Sequence, residues 1–264
     1  MLKLLRMDMH RLPRGLAFKI ILILLLGEFT LTAFAFSFMM SRADDMGELF
    51  QMMGITGTTM TAPMFLKLTL GQLGDFAMYM AIYVVLFSNG DFHSGFIKSV
   101  AGQVRTRSML GVSKFITVAV YTVFYFFVSI LISVIELAIF FDGPKDIGTG
   151  EFWQYALLLL FMYLAMSVSI AAVAQFFRSN LIGIISGVAI SIGLISSILS
   201  LVNVLIKKLG FEVDLAEYTI TGSIKSLGLE GSLGDYSQHI IVCTVYMIVA
   251  VAAALISYNK RDIA

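Results

Sequence analysis

Three acidic residues of this sequence lie inside long apolar stretches. Glu28 and Asp75 each lie near the middle of such a stretch, and Glu136 lies near the end of a third. A charge at the centre of a bilayer costs about 2.5–3.5 kcal/mol, so these acids should face protein or water, or be protonated. All three are candidates for a proton relay or a polar translocation path, the alternative being neutral acids bonded between helices. For Glu136, which can reach the membrane interface, we favour the interhelical bond.

The elements that carry these acids are six apolar stretches of membrane-spanning length. Each reaches the roughly 20 residues that a helix needs to cross about 30 Å of hydrocarbon. Charged residues make up 13% of the chain and its mean hydropathy is +0.92, whereas soluble domains carry about 25% charged residues. We predict an all-α polytopic membrane protein with a single domain, residues 1–264, and six transmembrane helices. The predicted spans are residues 17–40, 64–88, 115–141, 152–177, 181–206 and 239–258.

The segments between the predicted spans differ in charge on the two sides of the membrane. Twelve of the 18 Lys and Arg residues fall on the side of the N-terminus, and 11 of the 17 Asp and Glu residues fall on the other side. Because Lys and Arg concentrate in cytoplasmic segments, we predict that both termini are cytoplasmic and that the protein lies in the cell membrane. Residues 33–35 fit a signal-peptide cleavage pattern, but the apolar stretch before them exceeds the usual length of about 7–15 residues. We therefore expect the first span to be retained.

The residue types needed for catalysis or metal binding are sparse. No GxxxxGK[ST] phosphate loop occurs, so we expect no ATP hydrolysis by this chain and no enzyme activity. The single Cys243 and the three scattered histidines predict no metal site, and copper binding by methionines near the first two spans is a weaker alternative. Ser186 and His239 only loosely resemble a rhomboid-type protease pair, because Ser186 is one residue out of the GxSG register.

Two further segments have a predicted structural role. Residues 1–15 begin with a basic amphipathic pattern, which predicts an interfacial helix on the inner headgroup layer that ends at Pro13 and Gly15. This helix is either an orientation anchor or a contact for a partner. Gly183 and Gly187 form a GxxxG motif, where small residues let helices approach closely, so we predict packing within the chain, with a dimer contact as the alternative.

The most informative polar segment is the predicted cytoplasmic loop at residues 89–114. An acidic-aromatic pair at residues 91–92 precedes the sequence GFIK at residues 95–98. Arg107 follows the glycine by twelve residues, and Lys114 follows by another seven, at the start of the third span. A short basic loop is also typical of any cytoplasmic connection.

In this order of residues the chain resembles the six-span permease subunits of ABC-2 type ATP-binding cassette exporters. Such permeases carry the acidic-aromatic pair, a G-T-I-[KR] turn, and an Arg and a Lys at matching intervals. Here Phe96 replaces the usual Thr, and Val104 stands where Pro is frequent. A basic amphipathic start and a [KR]-[KR]-D-[IL] tail, here residues 260–263, also fit. The chain is most similar to permeases of low-GC Gram-positive bacteria, including those for export of, or immunity to, antimicrobial peptides and lantibiotics.

The resemblance implies a division of labour between subunits. A separate ATPase subunit would bind ATP and Mg²⁺ and dock on the loop and the N-terminal helix, while this chain would bind no cofactor. The chain would pair with a second permease copy or a relative, contact lipid but no nucleic acid, and export a substrate such as an amphipathic peptide or a lipid-like molecule. The residues implied in coupling are Gly95, Phe96, Ile97, Lys98, Arg105, Arg107 and Lys114.

Two other functions fit the same sequence. A proton-coupled secondary transporter would use Glu28 and Asp75 as its titrating pair. A non-transporting membrane assembly or sensor subunit would need neither acid, so substituting them would leave export unchanged. No motif in the sequence identifies the substrate.

Overall fold

Apolar helices make up most of the part of the chain that the structure describes. This computed structural model describes residues 2–41, 60–72, 75–93, 108–141, 143, 145–208, 214–229 and 234–260, without the side chains of residues 2, 3, 93 and 260. Within these ranges there is no strand. The helices are α1 (Leu2–Arg11), α2 (Leu16–Met40), α3 (Ala62–Leu66), a π-helix (Lys67–Gln72), α4 (Asp75–His93), α5 (Ser108–Phe140), α6 (Gly150–Phe177), α7 (Asn180–Ser191), α8 (Leu194–Lys208), a 3₁₀ helix (Leu215–Tyr218), α9 (Ile220–Ser226) and α10 (Ser237–Lys260).

Four of these helices, α2, α5, α6 and α10, are each long and apolar enough to cross a membrane. Two further groups pass the same test only when their parts are taken together, and each is bent by more than 40°: α3 and the π-helix with α4, and α7 with α8. The described residues therefore hold four candidate spans, or six if each bent group is one span. Apolar helices of this length are those of a membrane protein.

The prediction of a single helix at residues 181–206 is wrong in one respect, because the structure divides this stretch into α7 and α8. The two axes differ by 51°. Gly193, between them, has a φ of +76°, which glycine adopts without the steric cost of a β-carbon. The Thr221 hydroxyl donates to the Ile190 carbonyl at 2.7 Å, so an acceptor near the end of α7 is satisfied from outside the helix.

The helix predicted at residues 64–88 is also interrupted, by the π-helix between α3 and α4. On α6, the Tyr163 hydroxyl donates a hydrogen bond to the Leu70 carbonyl. Nearby, a β-carbon on Gly71 would lie 2.6 Å from the Tyr155 hydroxyl. Two tyrosines of α6 thus approach this backbone closely, and a wider helical turn accommodates them. An apolar sequence pattern carries no sign of such contacts.

The helix α6 lies at the centre of the bundle. In its most apolar window 72% of the residues are buried, against 22% for α2 and 17% for α10, so the last two lie at the periphery. Helices α2 and α5 run in the same direction. Phe18 packs on Tyr121 near their starts, with ring centroids 6.1 Å apart, and the Ser37 hydroxyl donates to the Phe140 carbonyl at 3.2 Å near their ends.

The GxxxG face packs within the chain. A β-carbon on Gly183 would lie 2.6 Å from Val85 Cγ1, and one on Gly187 would lie 3.2 Å from Ile170 Cγ2. We expect Gly183→Val to lower the free energy of unfolding by about 1–3 kcal/mol, because overpacking a close contact displaces its neighbours. Unfolding in mixed detergent micelles measures this loss. Gly27→Val is the matched control, since nothing lies within 4 Å of that position, and an equal loss in both variants would contradict the prediction.

The connection predicted after residue 206 contains a buried helix rather than an open loop. Residues 220–224 of α9 are all buried. His239, at the start of α10, approaches the Ser223 hydroxyl with Nδ1 at 3.3 Å and the Ser226 hydroxyl with Nε2 at 3.4 Å. We call α9 and the preceding 3₁₀ helix the cap, because together they cover the end of the bundle where α10 begins.

Candidate functional site

Four charged side chains from three helices meet at one end of the bundle. They are Asp8 and Arg11 of α1, Asp91 near the end of α4, and Lys114 near the start of α5. Asp8 faces inwards on the same side as the buried Leu12, which lies four residues further on, just after α1. We call these four residues the charged cluster, and this end of the bundle the charged end.

The charged cluster is held together by short ion pairs. Lys114 Nζ lies 2.7 Å from Asp8 Oδ1 and 2.7 Å from Asp91 Oδ2. Arg11 Nη1 lies 2.6 Å from Asp91 Oδ1, and the Ser113 hydroxyl donates to Asp8 Oδ2 at 2.9 Å. Asp8 is 2% exposed and Lys114 is 6% exposed. Two cations compensate two anions, which is the condition under which charges are tolerated away from water.

Aromatic rings connect the charged cluster to the other helices at this end. Lys114 Nζ lies 4.6 Å from the centroid of the Phe87 ring. The Arg178 guanidinium, just after α6, lies 5.1 Å from the centroid of the Phe92 ring. That ring lies 6.0 Å from the ring of Tyr258 on α10. The ends of α1, α4, α6 and α10 and the start of α5 therefore meet at the charged end.

Only part of the predicted coupling loop falls within the described residues. Asp91 and Lys114 both belong to the charged cluster, and Phe92 packs at the same end against Arg178 and Tyr258. The helix ends that flank residues 94–107 both lie at the charged end, because α4 ends at His93, two residues after Asp91, and α5 begins at Ser108, six residues before Lys114. The other predicted coupling residues, Gly95, Phe96, Ile97, Lys98, Arg105 and Arg107, lie outside the described residues.

The structure brings together two of the three acids predicted inside the spans. Glu28 of α2 and Asp75, the first residue of α4, lie within electrostatic range of each other and are partly exposed. We call them the acid pair. Glu136 is buried elsewhere, where it accepts a hydrogen bond from the Thr30 hydroxyl at 2.6 Å. This bond joins α2 to α5, as the sequence favoured for Glu136.

Aromatic side chains pack together next to Asp75. Phe76, next to the pair on α4, stacks on Tyr125 of α5 with centroids 4.8 Å apart, and it lies 4.7 Å from the ring of Tyr163 on α6. Tyr79 lies within electrostatic range of both acids, and Tyr125 lies within range of Glu28. Tyr125 also stacks on Tyr121, with centroids 5.4 Å apart, so the rings beside the acid pair pack against one another.

The sequence did not single out three residues that the structure places at the charged end: Asp8, Arg178 and Tyr258. The sequence held a signal that could have identified Asp8, since it is the one acid in the basic amphipathic stretch at residues 1–15. Arg178 and Tyr258 had none, because their contacts are with residues far away in sequence.

The structure also bears on two other chemical possibilities, a metal site and a protease pair. Among the ranges that the structure describes, no three His, Cys, Asp or Glu side chains lie close enough to hold a metal ion. The Ser186 hydroxyl donates to the Ile182 carbonyl at 2.7 Å, whereas His239 contacts the cap. The two residues of the loose protease pattern thus make separate hydrogen bonds.

Comparison of the chain with protein-family models, curated proteins and solved structures finds no match. The charged cluster and the acid pair are therefore the two features on which a function can be based.

Proposed function

We propose that this chain is the permease subunit of an ABC-2 type ATP-binding cassette exporter, with six spans. The observation that supports this function is the position of the charged cluster. The segment predicted to bind the ATPase, residues 94–107, connects the two helices that carry Asp91 and Lys114, which form an ion pair. A force on this segment is transmitted to α1, α4 and α5 through short ion pairs. A permease driven by a separate motor needs such a junction.

In this proposal the charged end is cytoplasmic. Arg6, His10, Arg14 and Lys19 are exposed there, and Lys and Arg concentrate on the cytoplasmic side of membrane proteins. Their exposed face would lie against the anionic inner leaflet of the cell membrane and the docked ATPase. Both termini would then be cytoplasmic, because α1 and the end of α10 lie at this end.

ATP binding and hydrolysis by the partner would supply the energy for export. Closure of two ATPase subunits would move residues 94–107 of two permease copies and rock the bundles between inward-facing and outward-facing states. The charged cluster would make α1, α4 and α5 move as one body, since breaking a buried ion pair costs about 3–5 kcal/mol. The bend between α7 and α8 and the cap would be the parts that open at the far end.

The acid pair favours a second candidate function, proton-coupled transport. Two carboxyl groups close together can share one proton, and a partly exposed pair between spans can exchange that proton with water. In this alternative, Glu28 and Asp75 are the titrating pair and no ATPase is needed.

Recovery of a partner from native membranes tests the exporter function. The tagged chain would be extracted in mild detergent, purified by affinity and analysed by mass spectrometry. We expect wild type to retain an ATP-binding cassette ATPase and the double variant Gly95→Pro, Arg107→Glu to lose it. Lys225→Glu, a charge reversal on an exposed cap residue, is the matched control and should retain the ATPase.

Two results would contradict parts of this function. If wild type recovers no ATPase, the exporter loses its energy source, and proton flux in Glu28→Gln and Asp75→Asn variants tests the alternative. If the double variant retains the ATPase as well as Lys225→Glu does, the docking surface is not the segment between α4 and α5.

A further inference from the structure

A cleft of about 240 Å³ lies beside the charged cluster, and no step of the proposed function uses it. One wall is formed at the corner between α1 and α2, by residues 11–17, and the other by the last turns of α4, at residues 83–91. Arg11 is exposed and Gly90 is partly exposed, so the cleft opens to the surface of the bundle. A β-carbon on Gly90 would meet nothing within 4 Å, so the wall formed by α4 borders open space.

The cleft lies at the level where a membrane helix meets the lipid headgroups. Helix α2 begins at Leu16, at the edge of the cleft, and a span leaves the hydrocarbon at its ends. Arg14 and Lys19 flank this point in the sequence and are exposed. The charged cluster is itself balanced, so Arg14 and Lys19 add positive charge to this edge of the cleft. Basic pockets between membrane helices at the cytoplasmic interface bind the headgroups of anionic lipids.

The size and the walls of the cleft suit part of a lipid rather than a whole soluble ligand. Sites that enclose a drug-sized ligand measure about 300–1,000 Å³, which is more than this cleft holds. Ala17, Leu86 and Phe87 form apolar walls, and the Tyr83 hydroxyl is already used, since it donates to a backbone carbonyl of the α1–α2 corner at 3.0 Å. The charged side chains of the lining belong to the charged cluster and are paired with one another, so they lie on one side. A molecule with a phosphate at one end and apolar chains that continue into the bilayer matches this division.

We propose that this cleft binds the headgroup and the first chain carbons of an anionic phospholipid. The phosphate contacts Arg11, whose side chain is 44% exposed, and the exposed Arg14. The glycerol and the first methylenes lie against Leu86 and Phe87, and the chains continue along α2, which is mostly exposed. The bound lipid joins the α1–α2 corner to α4 beside the charged cluster. This inference goes beyond the proposed function: it needs the charged end at the membrane interface, but it needs no ATPase.

Native mass spectrometry of the purified, delipidated full chain in detergent tests the inference by counting bound lipids during a titration. The probes are phosphatidylglycerol and phosphatidylcholine with the same acyl chains, which differ in the net charge of the headgroup. Glycerol 3-phosphate, which has the phosphate without the chains, is the soluble competitor. We expect a single phosphatidylglycerol to bind saturably and phosphatidylcholine to bind more weakly, and we expect glycerol 3-phosphate not to displace the lipid.

Two variants and their matched controls assign the binding to the cleft. Gly90→Leu should abolish saturable binding, because the added side chain fills open space without removing a charge, and leucine favours a helix more than glycine does. Gly150→Leu makes the same change at the start of α6, where nothing lies within 4 Å either, and should bind as wild type does. Arg14→Gln should raise the Kd roughly fivefold, the effect of about 1 kcal/mol for one basic residue near a membrane surface. Lys207→Gln removes an exposed lysine at the end of α8 and should leave the Kd unchanged.

Size-exclusion profiles and thermal stability establish that each variant is folded. Equal affinity for the two phospholipids, an unchanged Kd in folded Gly90→Leu, or displacement of the lipid by glycerol 3-phosphate would overturn the inference. The pull-down separates this inference from the proposed function. An ATPase recovered with a chain that does not bind phosphatidylglycerol would leave the exporter standing and the lipid site refuted. Saturable binding that Gly90→Leu abolishes, in a chain that recovers no ATPase, would do the reverse.

Discussion

Replacing Lys114 with methionine should lower the free energy of unfolding by about 3–5 kcal/mol, the usual cost of breaking a buried ion pair from one side. Methionine keeps most of the volume of the lysine but removes the charge between Asp8 and Asp91. Asp91 retains Arg11, whereas Asp8 retains only the Ser113 hydroxyl among the partners described above. The loss therefore arises chiefly at Asp8. Unfolding of the purified chain in mixed detergent micelles measures it.

Two further variants separate this effect from a general loss of positive charge. Lys19→Met removes an exposed lysine from the first turn of α2 and should change stability by less than about 0.5 kcal/mol. Asp8→Asn in the Lys114→Met background should recover part of the loss, because no unpaired carboxylate then remains at Asp8. If Lys114→Met were as stable as Lys19→Met, the buried ion pairs described here would be contradicted.

The same substitution also bears on the proposed coupling. If the charged cluster makes α1, α4 and α5 move together, a folded Lys114→Met chain should still bind the ATPase through residues 94–107. Its transport per ATP hydrolysed should fall, since movement of the loop no longer reaches α1. Such a result would separate docking, which depends on the loop, from transmission, which depends on the cluster.

Helix positions follow largely from the sequence, because runs of apolar residues are a strong signal for membrane-spanning helices. The predicted stretches at residues 17–40 and 152–177 agree with α2 and α6 to within two residues at each end. The third stretch begins seven residues earlier than predicted, as the polar residues around Lys114 are also helical. Helix ends that carry charges into a buried cluster are not visible in a hydropathy pattern.

The sequence did not predict the two helix interruptions, the bend at Gly193 and the π-helix before α4, for a physical reason. Gly193 lies among apolar residues on both sides, and glycine is common in membrane helices, so only its positive φ distinguishes it. Likewise, the π-helix depends on tyrosines about 90 residues further along the chain. A local pattern shows what a segment is able to form, whereas these features depend on what packs against it.

The residues of the candidate sites were likewise found partly from the sequence and partly only from the structure. Asp91 and Lys114 were found through the spacing of a loop motif, and the structure adds Asp8, their partner on α1. Glu28 and Asp75 were found because acids are rare in apolar stretches, but only the structure places these two near each other. A side chain's type can be read from the sequence, whereas its pairing requires the fold.

Gly222→Ala should be among the most destabilising single-methyl changes in the cap. The added β-carbon would overlap the carbonyl oxygen of Ala216 and lie 2.8 Å from Thr219 Oγ1. Because the first of these atoms belongs to the backbone, no side-chain rotation relieves the clash, and α9 or the 3₁₀ helix must move. We expect a loss of about 3 kcal/mol, the upper end for overpacking.

Thermal unfolding measures the loss in Gly222→Ala, and limited proteolysis locates it. Cleavage should increase within residues 214–229, because displacement of α9 also removes the contacts of Ser223 and Ser226 with His239. Gly150→Ala is the matched control, since nothing lies within 4 Å of that position at the start of α6. Equal stability and equal cleavage of the two variants would mean that α9 does not pack on the 3₁₀ helix as described.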